Sequence, residues 1–218
     1  MLTCQPGLPK GKPLTVLCLG AHSDDIEIGC GGTILKLIED HHDINLYWVV
    51  FSSGKGRRRE AEASARDFLE GAKQTKIIVN TFRDGYFPYS GRAIKNYFEA
   101  LKRTIAPDVI FTHYRSDLHQ DHRVICELTW NTFRDHFILE YEIVKYDGDL
   151  GSPNLFVHLS EEICARKSKL LIDHFKSQRS HRWFTEETFR AILRLRGIES
   201  NAPDKWAEAF YGRKLVIG

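Results

Sequence analysis

Residues 14–20, LTVLCLG, are apolar at odd and even positions alike and are bounded by Pro13 and Gly20. A strand turns alternate side chains to opposite faces, so such a run needs cover on both sides, as in a parallel sheet packed between helices. Similar runs recur at 44–51 (INLYWVVF), 76–80 (KIIVN) and 108–112 (DVIFT). Between and after them lie helical segments at about 33–40, 60–70, 92–104 and 124–135, the third with Ile94, Tyr97, Phe98 and Leu101 on one side. This alternation predicts an α/β fold: a Rossmann-like, mostly parallel sheet flanked by helices, with right-handed crossovers. Ligands of such sheets sit outside the carboxyl ends of the strands. Later segments read as short strands at 140–145 and 155–159, helices at 161–175 and 185–196, and a terminal AEAFYGRKLVI that returns to the sheet.

The chain of 218 residues suits one domain, taken as 14–218, preceded by an arm at 1–13 rich in turn residues (Pro6-Gly7, Pro9, Gly11, Pro13). A formal net charge of +2 offers no argument for nucleic acid or for a membrane surface. No apolar stretch reaches the ~18 residues of a membrane span, and the run at 14–19 reads as a strand rather than a signal peptide. The five cysteines are odd in number and contain no CxxC pair, which leads to the expectation of reduced thiols and a cytoplasmic location. The spacing also excludes tetrathiolate zinc.

Two short segments carry the chemistry. AHSDD (21–25) follows the first strand and HQDH (119–122) follows the fourth, so both fall at strand carboxyl ends. Isolated Asp and His residues in loops are ordinarily solvated or capping groups. Here His22, Asp24, Asp25, His119, Asp121 and His122 crowd into two tight stretches, denser in ligand-type groups than an ordinary loop. A catalytic zinc site needs three such ligands and one open position. A neighbouring carboxylate can then accept a proton from water, and a second histidine can meet an oxyanion. His22 and Asp25 are three apart on what should be a tight turn, but spacing alone leaves open which of Asp24 and Asp25 is the ligand.

AHSDDIEIGCGG resembles the AHPDDExxGxGG signature of the LmbE-like, or PIG-L-like, N-acetylglucosaminyl deacetylases, and HQDH resembles their HPDH-type motif. Weaker likenesses run through RREAE (58–62, with Arg59 and Glu62 as an RxxE segment), RDG (83–85), HFKSQ (174–178) and AEAF (207–210). The resemblance implies His22, Asp25 and His122 as ligands of Zn2+, or of another divalent ion such as Fe2+. It implies Asp24 as general base, His119 as the oxyanion-stabilising histidine and Asp121 as the carboxylate orienting it. Arg59, Asp84 and Tyr86 are the candidate substrate contacts. The implied activity is hydrolysis of the acetamide of an N-acetylated amino sugar or its conjugate, a small-molecule substrate. The implied assembly leaves room for a homo-oligomer. Ser23 stands where the family usually has proline, and Ile26 separates Asp25 from Glu27. Glu27 then reads as bonding the glycine turn or capping the first helix.

Other features carry two readings each. Gly29, Gly31 and Gly32 are expected in a loop ahead of the first helix, packing it closely; GxGG is not a dinucleotide fingerprint. The run Lys55, Arg57, Arg58, Arg59 is a solvated loop or a contact for an anionic substrate such as a nucleotide-linked sugar. His113 and Asp117 can orient a ligand from behind. His181 and Trp183 belong to a pocket rim or, for Trp183, to the core. The rival functions are a zinc amidase for another acylated amine or glycoside, and a non-catalytic sugar- or nucleotide-binding relative.

Overall fold

The computed structural model describes residues 12–41 and 43–216, so most of the expected arm at 1–13 lies outside the described residues. Seven strands form one sheet in the order β3-β2-β1-β4-β5-β7-β6. They are β1 Leu14–Gly20, β2 Ile44–Val50, β3 Gln74–Val79, β4 Val109–His113, β5 Phe137–Tyr141, β6 Leu155–Leu159 and β7 Trp206–Gly212. The first five pair in parallel, and β7 runs antiparallel between β5 and β6. The helices are α1 Asp25–Asp40, α2 Lys55–Phe68, α3 Gly91–Thr104, α4 Gln120–Thr132, α5 Glu161–His174 and α6 Glu186–Glu199.

The double-sided character of β1 decides the layering. Val16 and Cys18 face one core with Ile34, Phe68 and Leu171 from α1, α2 and α5. Leu17 and Leu19 face the other, with Phe98 of α3 and Ile125 of α4. The chain progresses from β1 to β2 on one side and from β1 to β4 on the other, so the strand order reverses between β1 and β4. Their carboxyl ends open the crevice where such sheets bind ligands. No helix among the described residues is long and apolar enough to cross a membrane.

Several boundaries differ from expectation. Helix α1 starts at Asp25, so Gly29, Gly31 and Gly32 are helical rather than in a loop. Glycine weakens a helix by about 1 kcal/mol relative to alanine, but close packing demands it here. A Cβ on Gly29 would lie 2.1 Å from the ring of Tyr141. A buried ion pair also docks on this helix: Lys167 Nζ donates to Ile28 O (2.7 Å) and to Glu208 Oε1 (2.6 Å), while Glu208 accepts from the N–H groups of Gly32 (2.8 Å) and Thr33 (2.6 Å). Helix α2 starts at Lys55 rather than near residue 60, and α4 at Gln120 rather than near residue 124. Strand β5 runs over Phe137–Tyr141, in register with Val109–His113 of β4, rather than over the expected 140–145.

Candidate metal centre

The β1–α1 connection is only four residues long, which places His22 and Asp25 on one tight turn. Asp24 occupies the N-cap of α1, yet its side chain makes no capping bond. An N-cap aspartate ordinarily accepts from the first helical N–H groups. Here Oδ1 instead accepts from Arg57 Nη2 at 2.7 Å. Burial holds the Asp24 carboxyl above its ordinary range, partly opposed by the Arg57 charge. Ser23 Oγ donates to Ser53 Oγ at 3.0 Å and ties this turn to the end of β2, in the position where a proline would stiffen it.

Helix α4 supplies the facing half. His119 is its N-cap, with Nδ1 accepting from the Asp121 N–H at 3.2 Å. Asp121 and His122 follow within the first turn and are buried. Asp121 thus meets His119 through its main chain. Its carboxylate, expected to orient His119, is turned to the N–H groups of Gly85 (2.7 Å) and Phe87 (3.1 Å) and to His22 Nε2 (3.3 Å). The Gly85 and Phe87 amides and the His22 ring already engage both of its oxygens.

Three donor atoms converge across the two loops. His22 Nδ1 lies 3.1 Å from His122 Nε2 and 3.4 Å from Asp25 Oδ2, and the last two are 3.6 Å apart. Ligands ~2.0–2.1 Å from a tetrahedral ion stand about 3.3–3.4 Å from one another. The triangle therefore fits a divalent ion of zinc size. The outer nitrogens strengthen the fit. His22 Nε2 faces Asp84 Oδ1 at 2.9 Å, and His122 Nδ1 faces Asp117 Oδ2 at 2.9 Å. Each carboxylate holds the ring proton on the outer nitrogen and leaves the inner one free to ligate.

Two other histidines border the centre and fit it less well. His113 lies 3.2 Å from Asp25 Oδ2, but its Nε2 accepts from the Ala21 N–H at 2.9 Å. His119 has Nδ1 occupied by the Asp121 amide, which puts its proton on Nε2 as a hydrogen-bond donor. Electrostatics follow the same division. Burial would lower the His22 imidazole, but Asp25, Asp121 and Asp84 hold it well above its ordinary value. Burial and the nearby His113 push His122 down to about 3. Asp25 is buried, yet His122, His113 and His22 hold its carboxyl well below the usual range. Burial and the adjacent His22 also lower His119.

The centre opens into a cleft of about 270 Å³ lined by Arg57, Asp84, His119, Lys145, Gln178 and Trp183 among others. Trp183 is therefore at the rim, whereas His181 is not among the lining residues. Of the expected substrate contacts, Asp84 reaches the cleft, where its exposed carboxylate faces His22. Arg59 does not: it is exposed, and Arg57 takes its place. Since α2 begins at Lys55, two residues turn the helix by about 200°, which sends Arg59 away from the site that Arg57 faces. Arg58, not Arg59, pairs with Glu62, at 2.8 Å. Tyr86 also lies off the cleft, stacked under the Arg83 guanidinium at 3.7 Å. Glu27 is buried in the first turn of α1 without a hydrogen-bond partner among the described residues. Burial pushes its carboxyl well above the ordinary range, and its place inside the first turn, past the Asp24 N-cap, is not that of a cap.

The fold and the convergent His/Asp set define a doubly wound α/β protein with a candidate divalent-metal centre at the carboxyl ends of its strands. Residues 17–133 match the family model described as PIG-L: GlcNAc-PI de-N-acetylase, more than half of the chain, and the chain belongs to that family. It is 30% identical over 120 residues to the uncharacterized deacetylase YaiS of Escherichia coli (strain K12), a match covering 50% of this chain and 63% of that protein. Among solved structures it is similar to the N,N'-diacetylchitobiose deacetylase of Pyrococcus horikoshii (TM-score 0.70, 24% identity, 91% of this chain and 83% of that one). It is also similar to GalB, the 4-carboxy-2-hydroxymuconate hydratase of Pseudomonas putida KT2440 (TM-score 0.75, 16% identity, 94% and 98%). These structural likenesses show a shared fold. Family membership and the site together support a hydrolase of the deacetylase type.

Proposed function

We propose that the protein is a zinc-dependent N-deacetylase that hydrolyses the acetamide of an N-acetylated amino sugar or its conjugate and releases acetate. The observation that carries this reading is the triangle of His22 Nδ1, His122 Nε2 and Asp25 Oδ2, with donor separations of 3.1–3.6 Å and Asp24 and His119 beside it at the mouth of the cleft. A divalent ion held there supplies Lewis acidity, lowering the pKa of water and polarising a carbonyl. Asp24, fixed by Arg57, takes the proton of the attacking water. His119, with Nδ1 tied to the helix, presents Nε2–H to the oxygen that gains charge as the carbonyl carbon becomes tetrahedral. Asp24 then returns its proton to the departing amine, and acetate and free amine leave. The amino-sugar part of the reading draws on the family to which the chain belongs and on its likeness to the chitobiose deacetylase.

The test is acetate release from a panel of N-acetylhexosamines, their glycosides, nucleotide-linked forms and simple N-acyl amines, by zinc-loaded protein and by Asp24→Asn. Acetate and free amine should appear in equal amounts with wild type and be lost with the variant. Release from the simple amines alone would move the substrate away from sugars. Silence across the panel with a sugar still bound would leave a non-catalytic binding protein. Because GalB is named as a hydratase, equal yields of both products also separate hydrolysis from hydration.

A further inference from the structure

We propose that Lys145, on the β5–β6 loop, is a positioning residue of the metal centre that acts through Asp117. Asp117 is buried and uses both oxygens: Oδ2 holds His122 Nδ1 at 2.9 Å, and Oδ1 accepts from the main-chain N–H of His119 at 2.8 Å. One carboxylate thus sets the ring of a candidate ligand and the start of the helix carrying it. Asp117 is itself gripped from outside, because Lys145 Nζ lies 3.1 Å from its Oδ1. The same ammonium lies 2.5 Å from Asp149 Oδ2 and 3.6 Å from Asp147 Oδ2. It fills the space among three carboxylates that would otherwise repel one another. Asp149 Oδ2 also accepts from the Leu118 N–H at 2.7 Å, so the loop is stitched directly to the segment before His119.

The loop is built to hold this position. At its base Glu142 accepts from Gly151 N (2.7 Å), Tyr211 Oη (2.7 Å) and Arg196 Nη2 (2.7 Å), which join it to β7 and α6. The charge of Lys145 is secure: burial would lower its pKa, but Asp149 and Asp117 hold it above the ordinary lysine range. Lys145 also lines the cleft beside Tyr146 and Asp147. The segment after residue 133, beyond the family match, therefore reaches the candidate ligands through one cation and one carboxylate. Without Lys145, Asp117 stands uncompensated beside Asp147 and Asp149. It then turns away from them and loses its grip on His122.

The inference rests on the reading that His122 holds an ion, and the test separates the two. Co2+ affinity and the Co2+ d–d absorption spectrum would be measured by chelator competition for wild type, Lys145→Met, Lys145→Arg and His122→Ala, with thermal melting of each metal-free protein. Loss of an outer partner of a metal-bound histidine weakens binding about 10–100-fold. Lys145→Met should show that loss with an altered spectrum, alongside a lower metal-free melting temperature from the uncompensated carboxylates, and Lys145→Arg should recover most of both. Affinity of Lys145→Met at or above that of wild type overturns the role of Lys145, as does a loss of affinity with the Co2+ spectrum of the bound form unaltered. If wild type itself binds no Co2+, or His122→Ala binds as well as wild type, the metal reading falls instead.

Discussion

Asp24 and Arg57 show how residue identity and surroundings divide the work of the centre. Two adjacent aspartates differ in surroundings: Asp25 sits among three imidazoles and Asp24 against a guanidinium. Asp24→Asn keeps the shape of the N-cap and removes the proposed base, so kcat should fall by about 10²–10⁴-fold while Co2+ affinity stays near wild type. Arg57→Met removes a charge-assisted hydrogen bond of about 1.5–3 kcal/mol and should lower kcat/KM about 10–100-fold, whereas Arg59→Met should leave it unchanged. Equal effects of the two arginine variants would contradict the helical facing described above. His22 adds a pH dependence. Its raised pKa means that the metal-free imidazole keeps its second ring proton to higher pH than an ordinary histidine, and an incoming ion must displace it. Metal affinity should therefore rise with pH through that pKa. Calorimetry in buffers of different ionisation enthalpy should show about one proton released per ion below it and fewer above it.

Helix α1 links the site to the rest of the fold. Its first residue is Asp25, its middle is pressed on Tyr141 at Gly29, and Lys167 and Glu208 bond its backbone between Ile28 and Thr33. The tyrosine hydroxyl beneath it donates to Leu19 O at 2.6 Å, which locks the helix to the strand that delivers His22. Lys167→Met leaves Glu208 as an uncompensated buried charge and should cost about 3–5 kcal/mol of stability in urea denaturation. A loss below about 1 kcal/mol would mean that the pair is not what seats α1. The helix starts at α1, α2 and α4 were hard to read for one reason. Glycines within α1, arginines in the first turn of α2 and a histidine N-cap on α4 all oppose ordinary helix-end preferences, and contacts made across the site outweigh them.

At the scale of the whole molecule, the parallel half of the sheet carries the proposed ligands and the antiparallel extension provides much of the cleft wall. Trp183 and Gln178 follow α5, while Lys145, Tyr146 and Asp147 precede β6, so on the proposed function the later half of the chain is where substrate choice is expected. Trp183→Ala should accordingly raise KM roughly tenfold for a sugar substrate with kcat little changed, since it deletes apolar contact away from the reacting bond. A fall in kcat at constant KM would place Trp183 closer to the chemistry than the cleft geometry does.

What the sequence determined by itself was periodic or locally dense. Two-sided apolar runs called for a covered parallel sheet, and two clusters of ligand-type residues at strand ends marked the crevice, because both signals are carried by near neighbours in the chain. The tertiary structure decided matters that depend on distant partners. It turned Arg57 rather than Arg59 to Asp24, moved the Asp121 carboxylate to His22 and the Gly85–Phe87 turn, and brought Lys145 behind Asp117. Each of these is a charge whose direction is set by what packs against it, and none of those neighbours is adjacent in sequence.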